Sequence, residues 1–301
     1  MKRKMKDYAL LITKGMAMGA ADVVPGVSGG TIAFIAGIYE ELINSIKSFN
    51  LNSFKLLFSG KIAAFWQAVN ANFLLALVTG IAISVFSLAK MITWLLVAHP
   101  VLVWSFFFGL VLASTWFVSK GITQWNWKTI SSFLIGALIA YYITAITPSE
   151  TPNSLFFIFL CGMIAICAMI LPGISGSFIL VLLGKYFYIM DAVKSFDLVI
   201  IIVFAAGAAI GITSFSHVLS YAFKKFHNIT MAVLAGFMLG SLNKVWPWKE
   251  TISTFVDSHG VTKPLMETNI FPNQLVWQAI VLAIAGFATV YILEKVSMIK
   301  K

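Results

Sequence analysis

Charged residues are scarce in this sequence. Lysine, arginine, aspartate and glutamate make up 11% of its 301 residues, whereas soluble domains contain about 25%. Apolar residues make up 60% of the chain, and the mean hydropathy is +0.93. A water-soluble globule of this length could not bury so much apolar surface. That class is therefore excluded, and an integral membrane protein is predicted.

Cysteine, histidine and arginine are also rare, and each shortage excludes a kind of site. Cys161 and Cys167 are the only cysteines and lie in an apolar run, which excludes a disulfide scaffold. The four histidines lack metal-ligand spacing, so we predict no metal site and no other cofactor. Arg3, in the N-terminal tail, is the only arginine. Recognition of a phosphate inside the membrane would therefore depend on backbone N–H groups, hydroxyls and lysines.

Long apolar runs are what the sequence does have. A helix needs about 20 mostly apolar residues to cross the hydrocarbon core. Suitable charge-free runs are residues 72–89, 101–119, 129–148, 198–223, 229–243 and 275–293. The fifth run is short, and we expect it to gain a turn at one end. These runs predict a polytopic, all-α membrane protein.

Two further apolar blocks, residues 15–46 and 155–190, are each interrupted by Pro-Gly-x-Ser-Gly, at 25–29 and 172–176. Proline removes a backbone donor and glycine permits non-helical backbone, so each block is predicted to be two short helices around a break.

The basic residues indicate how these blocks sit in the membrane. If each block is a re-entrant hairpin, fifteen lysine and arginine residues lie on one side and six on the other. If each block crosses once, the division is eleven to ten. The positive-inside rule favours the hairpins, with both termini cytoplasmic and residues 51–69 forming an interfacial helix. Because the net charge of +10 comes mainly from segment ends, we expect no nucleic-acid partner.

The sequence also contains an internal repeat. A shift of 147 residues aligns 15–49 with 162–196, with twelve of 35 positions identical. Each half is a broken hairpin followed by three spans. Because three spans take the chain to the opposite side of the membrane, the second half has the inverted topology. We predict one transmembrane domain, 1–301, of two inverted-topology repeats at about 8–150 and about 155–296. Such repeats are typical of secondary transporters with a midplane site. The alternative is a duplication kept for stability alone.

The two breaks are the predicted site. Unwound backbone at membrane depth occurs only where it is buried in protein or lines a wet cavity. A helix begins after each break, and its first N–H groups favour an anion, with hydroxyls adding donors. The predicted substrate-binding residues are Pro25, Gly26, Val27, Ser28, Gly29, Gly30, Thr31, Pro172, Gly173, Ile174, Ser175, Gly176 and Ser177. The alternative is that these small residues only let helices pack closely.

Four charged residues near the breaks are further candidates. Asp22 lies one turn before Pro25, where a carboxylate at membrane depth indicates function. Beside a bound anion it must be protonated, paired with a lysine or bound to a coupling cation, unless it only caps its helix. We predict Asp22 and Glu40 as proton-coupling residues, although Glu40 is also compatible with a solvated surface position. Lys14 and Lys185 are candidate charge partners, unless their side chains extend to the head-group region.

The segments ADVVPGVSGGTIAFIAGIYEELI (21–43) and CAMILPGISGSFILVLLGKYFYI (167–189) resemble the bacterial polyprenyl-phosphate (undecaprenyl-phosphate) transporter family, long catalogued as a membrane domain of unknown function. The resemblance covers nearly the whole chain. It implies a multi-pass protein of the bacterial cytoplasmic (inner) membrane, surrounded by membrane lipids. Its partner would be a polyprenyl phosphate lipid, moved from the outer to the inner leaflet to recycle the carrier of envelope synthesis. Glu41 stands where we expect a basic residue in many relatives, so it is left out of the site.

Two other functions stay open at this point. A transporter of a small anion could use the same anion site with closed walls. A membrane phosphatase or transferase would need a nucleophile with a partnered base or a metal cluster. No histidine adjoins the Ser-Gly motifs, so we predict that the chain is not an enzyme. The sequence does not determine the coupling ion, the net direction, the lipid selectivity or whether the chain forms a homo-oligomer.

Overall fold

A computed structural model describes residues 3–24, 27–149, 151–256 and 262–298. The helices are α1 (Met5–Asp22), α2 (Gly29–Ile35), α3 (Tyr39–Lys47), α4 (Leu51–Phe58), α5 (Ile62–Ala68), α6 (Ala71–Ala98), α7 (Pro100–Lys120), α8 (Trp127–Ala145), α9 (Leu155–Ile170), α10 (Gly176–Leu182), α11 (Tyr186–Lys194), α12 (Leu198–Lys225), α13 (His227–Ser241) and α14 (Val276–Met298). A two-stranded antiparallel hairpin, β1 (Lys249–Val256) with β2 (Thr262–Asn269), lies between α13 and α14.

Within the described residues, five helices are long and apolar enough to cross a membrane, which confirms the prediction of a helical, multi-pass membrane protein. They are α6, α7, α8, α12 and α14, and each coincides with one of the apolar runs predicted to span. The remaining run forms α13, which has 15 residues and is therefore about 22 Å long. The expected extra turn is not formed, because the chain leaves the helix after Ser241.

Apart from those that join the two breaks, many hydrogen bonds between elements lie at the two ends of the helix bundle. One end, which we name the N-terminal end, contains Arg3, Glu41, Lys47, Asn70, Thr123, Ser220 and Asn228. What we call the hairpin end contains β1 and β2 together with Thr144, Ser149, Thr151, Leu182, Lys185, Asn243 and Trp246. Helix α8 joins the two ends, since Thr123 precedes it and Thr144 lies in its last turn.

The helices on either side of each break pack against each other. Helix α2 contacts α1, and α10 contacts α9. The ammonium group of Lys14 in α1 donates to the carbonyl of Ala36, which follows α2, at 2.6 Å. In the second block Ser149, ahead of α9, donates its amide to the carbonyl of Leu182 at 3.0 Å. Helix α2 thus ends beside the middle of α1, whereas α10 ends near the start of α9.

Close helix crossings occur in matching pairs. Helix α1 packs on α6 as α9 packs on α12, and α7 packs on α14 as α13 packs on α8. Glycines make each crossing close: a Cβ at Gly80 would overlap the carbonyl of Ile12, and one at Gly207 would overlap that of Phe159. Backbones therefore touch directly at these crossings, as small residues allow in membrane helices.

Two features outside the long helices differ from the expectation. Residues 51–69 form two short helices, α4 and α5, rather than one, because Gly60 adopts φ +74° between them. Their apolar side chains are exposed, with Phe58 at 86% and Ile62 at 64%, which suits a position at a membrane surface. The hairpin of β1 and β2 was not predicted from the sequence.

Candidate functional site

The first break contains a carboxylate bound to the start of a helix. Helix α1 ends at Asp22 and α2 begins at Gly29, whose amide donates to Asp22 Oδ1 at 2.6 Å. Ser28 caps α2, since its Oγ accepts from the amide of Gly30 at 3.1 Å. A Cβ at Gly29 would lie 2.5 Å from Asp22 Oδ2, so glycine is what lets the carboxylate approach. Pro25 and Gly26 lie outside the described residues.

The second break has hydroxyls but a different arrangement. Helix α9 ends at Ile170 and α10 begins at Gly176. Between them Gly173 adopts φ +90°, a conformation that side-chain-bearing residues rarely take. The hydroxyl of Ser175 lies 2.8 Å from that of Ser177. In the repeat alignment Asp22 matches the neutral Met169, so the second break lacks the equivalent carboxylate.

The two breaks contact each other directly. Ser28 Oγ donates to the carbonyl of Met169 at 3.1 Å, and the amide of Gly173 donates to Thr31 Oγ1 at 3.0 Å. A Cβ at Gly30 would lie 2.5 Å from the carbonyl oxygen of Ile170, so the backbones are as close as glycine permits. The structure therefore brings Ser28, Gly30 and Thr31 of the first break and residues 169–173 beside the second into one polar cluster.

This cluster lies near the middle of the helix bundle. A Cβ at Gly19, one turn before Asp22, would lie 3.1 Å from Cβ of Ser84. Ser84 is close to the midpoint of the 28-residue helix α6. Gly19 is therefore about 20 Å from either end of that helix, and Asp22 lies about 4.5 Å further along α1 at 1.5 Å per residue. A carboxylate at that depth is far from both head-group regions.

Burial differs among the residues of the breaks. Val27 and Ile174 are buried. Gly29, Pro172 and Gly176 are buried as well. Ser28 and Thr31 are almost completely buried, at 1% and 0% exposed. By contrast Ser177 is exposed on the surface of the bundle. The site thus has a buried part at the first break and an open part at the second.

Lys14 and Lys185 lie away from the breaks. Lys14 is eight residues, or about 12 Å, before Asp22 along α1, and its Nζ contacts the carbonyl of Ala36. Lys185 is 3% exposed, and its Nζ donates to Thr151 O at 2.6 Å and Asn153 Oδ1 at 2.7 Å. Both ammonium groups thus have contacts near the ends of α2 and α10, away from the starts of those helices.

Glu40 lies at the N-terminal end. Its carboxylate is 57% exposed and 4.0 Å from Nδ1 of His227. It lines a cavity of about 110 Å³ together with Asn44, Ser220 and Lys224. The neighbouring Tyr39 is buried and donates its hydroxyl to the carbonyl of Ile170 at 3.1 Å. Tyr39 therefore connects the region of this cavity to the breaks.

Sequence reasoning left three polar residues out of the site. Tyr39 could have been identified from the sequence, because the repeat alignment matches it with another tyrosine, Tyr186. Lys244 and Lys249 could not have been found in this way, because Glu267 reaches them only through the pairing of β1 and β2. Among the described residues, no group of three or more His, Cys, Asp and Glu side chains is placed to hold a metal ion.

Comparison with known proteins places this geometry in a family. A family model described as undecaprenyl phosphate translocase-like matches residues 18–263. A polyprenyl-phosphate transporter of Vibrio cholerae serotype O1 is 45% identical over 98% of this chain and 99% of its own length. A polyprenyl-phosphate transporter of Staphylococcus aureus is 32% identical over 78% of this chain and 85% of its own length. No solved structure matches. The chain belongs to the undecaprenyl phosphate translocase-like family.

Proposed function

We propose that this chain transports polyprenyl phosphate, such as undecaprenyl phosphate, from the outer to the inner leaflet of the bacterial cytoplasmic membrane. Its role would be to return the lipid carrier used in cell-envelope synthesis. The observation that carries the proposal is the meeting of the two breaks, with a carboxylate already bound at the start of α2. The relatives are named for transport, which agrees with the prediction that the chain is not an enzyme.

The head group would bind between the breaks. Gly29 N–H already donates to an anionic oxygen, that of Asp22, and a phosphate oxygen is the same kind of acceptor. When the breaks separate, the hydroxyls of Ser28 and Thr31 lose their present partners and become donors for the phosphate. Helix α2 has seven residues, so these donors would act chiefly through short hydrogen bonds rather than through a long helix dipole.

Proton coupling would follow from competition between Asp22 and the phosphate. The two anions cannot both occupy the amide of Gly29, and an ionised carboxylate next to the phosphate would repel it. Protonation of Asp22 removes that repulsion, so the carrier would take up a proton with its lipid. Glu40, at the cavity of the N-terminal end, would receive the proton when the lipid leaves.

Movement between leaflets would come from two inverted repeats, at about 8–150 and about 155–296, that rock against each other. The matching helix pairs and the glycines at equivalent crossings support this arrangement. The return of α2 to the level of Lys14 supports re-entrant hairpins. In this scheme both termini are cytoplasmic, and the N-terminal end faces the cytoplasm.

Exposure at the second break favours a lipid over a small soluble anion. Ser177 is exposed on the side of the bundle, and Met169 is 44% exposed. A head group could enter sideways at this point while its long isoprenoid tail stayed in the bilayer. A carrier of a small anion would instead need a site closed toward the lipid.

Leaflet-resolved transport in proteoliposomes tests the function. A labelled polyprenyl phosphate should change leaflets with the protein present, faster under a pH gradient, and inorganic phosphate should not be taken up. Ser28→Ala combined with Ser175→Ala should reduce the rate by about 10-fold or more, since each removes a donor to a charged group. Asp22→Asn keeps an acceptor for Gly29 but should abolish the response to the gradient.

Ser87→Ala is the matched control, because the hydroxyl of Ser87 is exposed and binds only the carbonyl of Ile83 in its own helix among the contacts that the structure describes. Its transport rate should equal that of the unmodified protein. Unchanged rates in both the double serine variant and Asp22→Asn would overturn the proposed site. Uptake of inorganic phosphate without lipid movement would instead support a small-anion transporter.

A further inference from the structure

Two lysines share one carboxylate at the hairpin end. Lys249 Nζ lies 3.5 Å and Lys244 Nζ 3.7 Å from the same oxygen, Oε2 of Glu267. The side chains of Lys249, Glu267 and Lys244 are 6%, 18% and 20% exposed. The lysine cluster, as we name these three residues, therefore has one positive charge in excess. A largely buried excess charge is unfavourable for folding alone, which suggests that an anion balances it in use.

Aromatic faces and a carbonyl hold the ammonium groups in place. Lys249 Nζ donates to the carbonyl of Lys244 at 2.7 Å and lies 3.9 Å from the centre of the Trp104 ring. Lys244 Nζ lies 4.9 Å from the centre of the Phe178 ring. Aromatic rings stabilise a cation without neutralising it. The cluster therefore keeps its excess charge while its geometry is fixed.

The lysine cluster is continuous with the second break. Lys244 follows the end of α13 and donates its amide to the carbonyl of Ser241 at 2.8 Å. A Cβ at Gly173 would lie 2.8 Å from the hydroxyl oxygen of Ser241. Phe178, under the ammonium of Lys244, is in the first turn of α10. An anion held by Lys244 would thus be about one helical turn from the break.

The surroundings indicate a lipid head group rather than a soluble anion. Trp248 packs with Val101 and Ala279 beside the cluster, and the ring centre of Trp246 lies 5.6 Å from that of Trp248, with the two rings tilted. Tryptophans gather at the head-group level of a bilayer. Lysine ammonium groups bind phosphate as point charges, without the bidentate geometry of arginine. A phosphate monoester at the membrane surface fits both features.

We propose that the lysine cluster is the first binding site for the phosphate of an isoprenoid phosphate lipid at the hairpin end, from which the head group passes to the breaks. This inference rests on the proposed function. Phosphate would displace the carboxylate of Glu267 from Lys244 while Lys249 stays anchored by Trp104. The excess charge of the cluster draws the head group out of the leaflet before the breaks open.

Binding of farnesyl phosphate to the purified full-length protein tests the inference, with farnesol and inorganic phosphate as comparison probes. Lys244→Gln should weaken farnesyl phosphate binding about 10-fold, because one charge-assisted contact is lost. Glu267→Gln should strengthen this binding several-fold, because it removes the carboxylate that competes with the phosphate for both ammonium groups. Opposite effects of these two variants cannot arise from misfolding. Lys194→Gln is the matched control, an exposed lysine in the last turn of α11, and should bind like the unmodified protein.

Equal binding by Lys244→Gln and Lys194→Gln would overturn the inference. Inorganic phosphate that competes as well as farnesyl phosphate would overturn its lipid part. In the transport assay Lys244→Gln should raise the lipid concentration for half-maximal rate and leave the maximal rate unchanged. If the unmodified protein binds farnesyl phosphate in this way but moves no lipid, the proposed function alone fails. If it moves lipid and Lys244→Gln has no effect, only the further inference fails.

Discussion

At the residue scale, a few hydroxyls and amides join the two breaks. The amide of Gly173 donates to Oγ1 of Thr31, and Thr31 is 0% exposed. A buried amide without an acceptor is unfavourable by about 1–3 kcal/mol. The bond therefore contributes to the stability of the closed arrangement of the breaks as well as to their alignment.

Thr31→Val should lower the free energy of unfolding by about 1–3 kcal/mol, because valine keeps the shape of threonine but leaves the amide of Gly173 without its acceptor. Thr31→Ser keeps the hydroxyl and serves as the control, with a smaller loss. Thermal unfolding in detergent measures both. Equal stability of Thr31→Val and the unmodified protein would show that the amide has another acceptor.

The pKa of Lys249 predicts a dependence of stability on pH. Burial lowers this pKa from 10.5 to about 8, opposed by Glu267 and reinforced by Lys244. Burial also lowers the pKa of Lys244. Between pH 8 and 10.5 the folded protein has lost the proton of Lys249 while the unfolded chain retains it. The unfolded state then binds more protons, so stability should rise with pH across this window.

Between pH 7.5 and 9.5 the gain in the free energy of unfolding from Lys249 should be ~2 kcal/mol. Lys249→Met should remove most of this gain, which unfolding at the two pH values would detect. Binding of farnesyl phosphate should change in the opposite direction, since the neutral lysine no longer attracts an anion. An equal pH response in the variant would contradict the assigned pKa.

At the element scale, glycines control how closely helices cross. A Cβ at Gly109 in α7 would overlap the carbonyl of Ala283 in α14, and one at Gly236 in α13 would overlap that of Phe133 in α8. A shift of 127 residues, further along the two halves, aligns Gly109 with Gly236. The two crossings should therefore respond alike to the same change.

Gly109→Ala and Gly236→Ala should each destabilise the protein by about 1–3 kcal/mol, because each forces two helix backbones apart. Gly60→Ala is the control, since nothing lies within 4 Å of its Cβ position and only its φ of +74° is unfavourable. Unfolding midpoints in detergent compare the three. A loss in only one of the equivalent variants would contradict a matched role for the two crossings.

The long helices could be predicted from the sequence because an uninterrupted apolar run of about 20 residues has few alternatives to a spanning helix. The breaks at 25–29 and 172–176 could be predicted from proline, which removes a helical hydrogen bond, and from glycine, which permits non-helical backbone. The pairing of Asp22 with Gly29 and the meeting of Ser28 with Met169 could not be predicted. These contacts depend on how separate helices pack, which no local pattern records.

The hairpin of β1 and β2 was missed for a related reason. Its strands contain charged residues such as Lys249, Glu250 and Glu267, and its register is irregular around Thr251 and Ser253. Alternation of apolar and polar residues is therefore weak. Because Lys249 and Glu267 come together only through this pairing, the lysine cluster was missed as well.

At the scale of the whole molecule, the distribution of basic residues predicts sidedness. We expect the N-terminal end to face the cytoplasm and the hairpin end to face outward. In a background with Cys161→Ser and Cys167→Ser, an impermeant maleimide should label Thr254→Cys in intact cells. Ser59→Cys, an exposed position between α4 and α5, should be labelled only after the membrane is opened. The reverse pattern would contradict the proposed sidedness and the outward position of the lysine cluster.

The direct contact between the breaks has a consequence for the cell membrane. Ser28 and Thr31 are bonded to the backbone of the second break, so the two breaks close against each other at mid-depth. A carrier that returns to this arrangement in each cycle would offer ions no continuous aqueous path between the breaks. It can therefore be abundant in an energised membrane without dissipating the electrochemical gradient on which the cell depends.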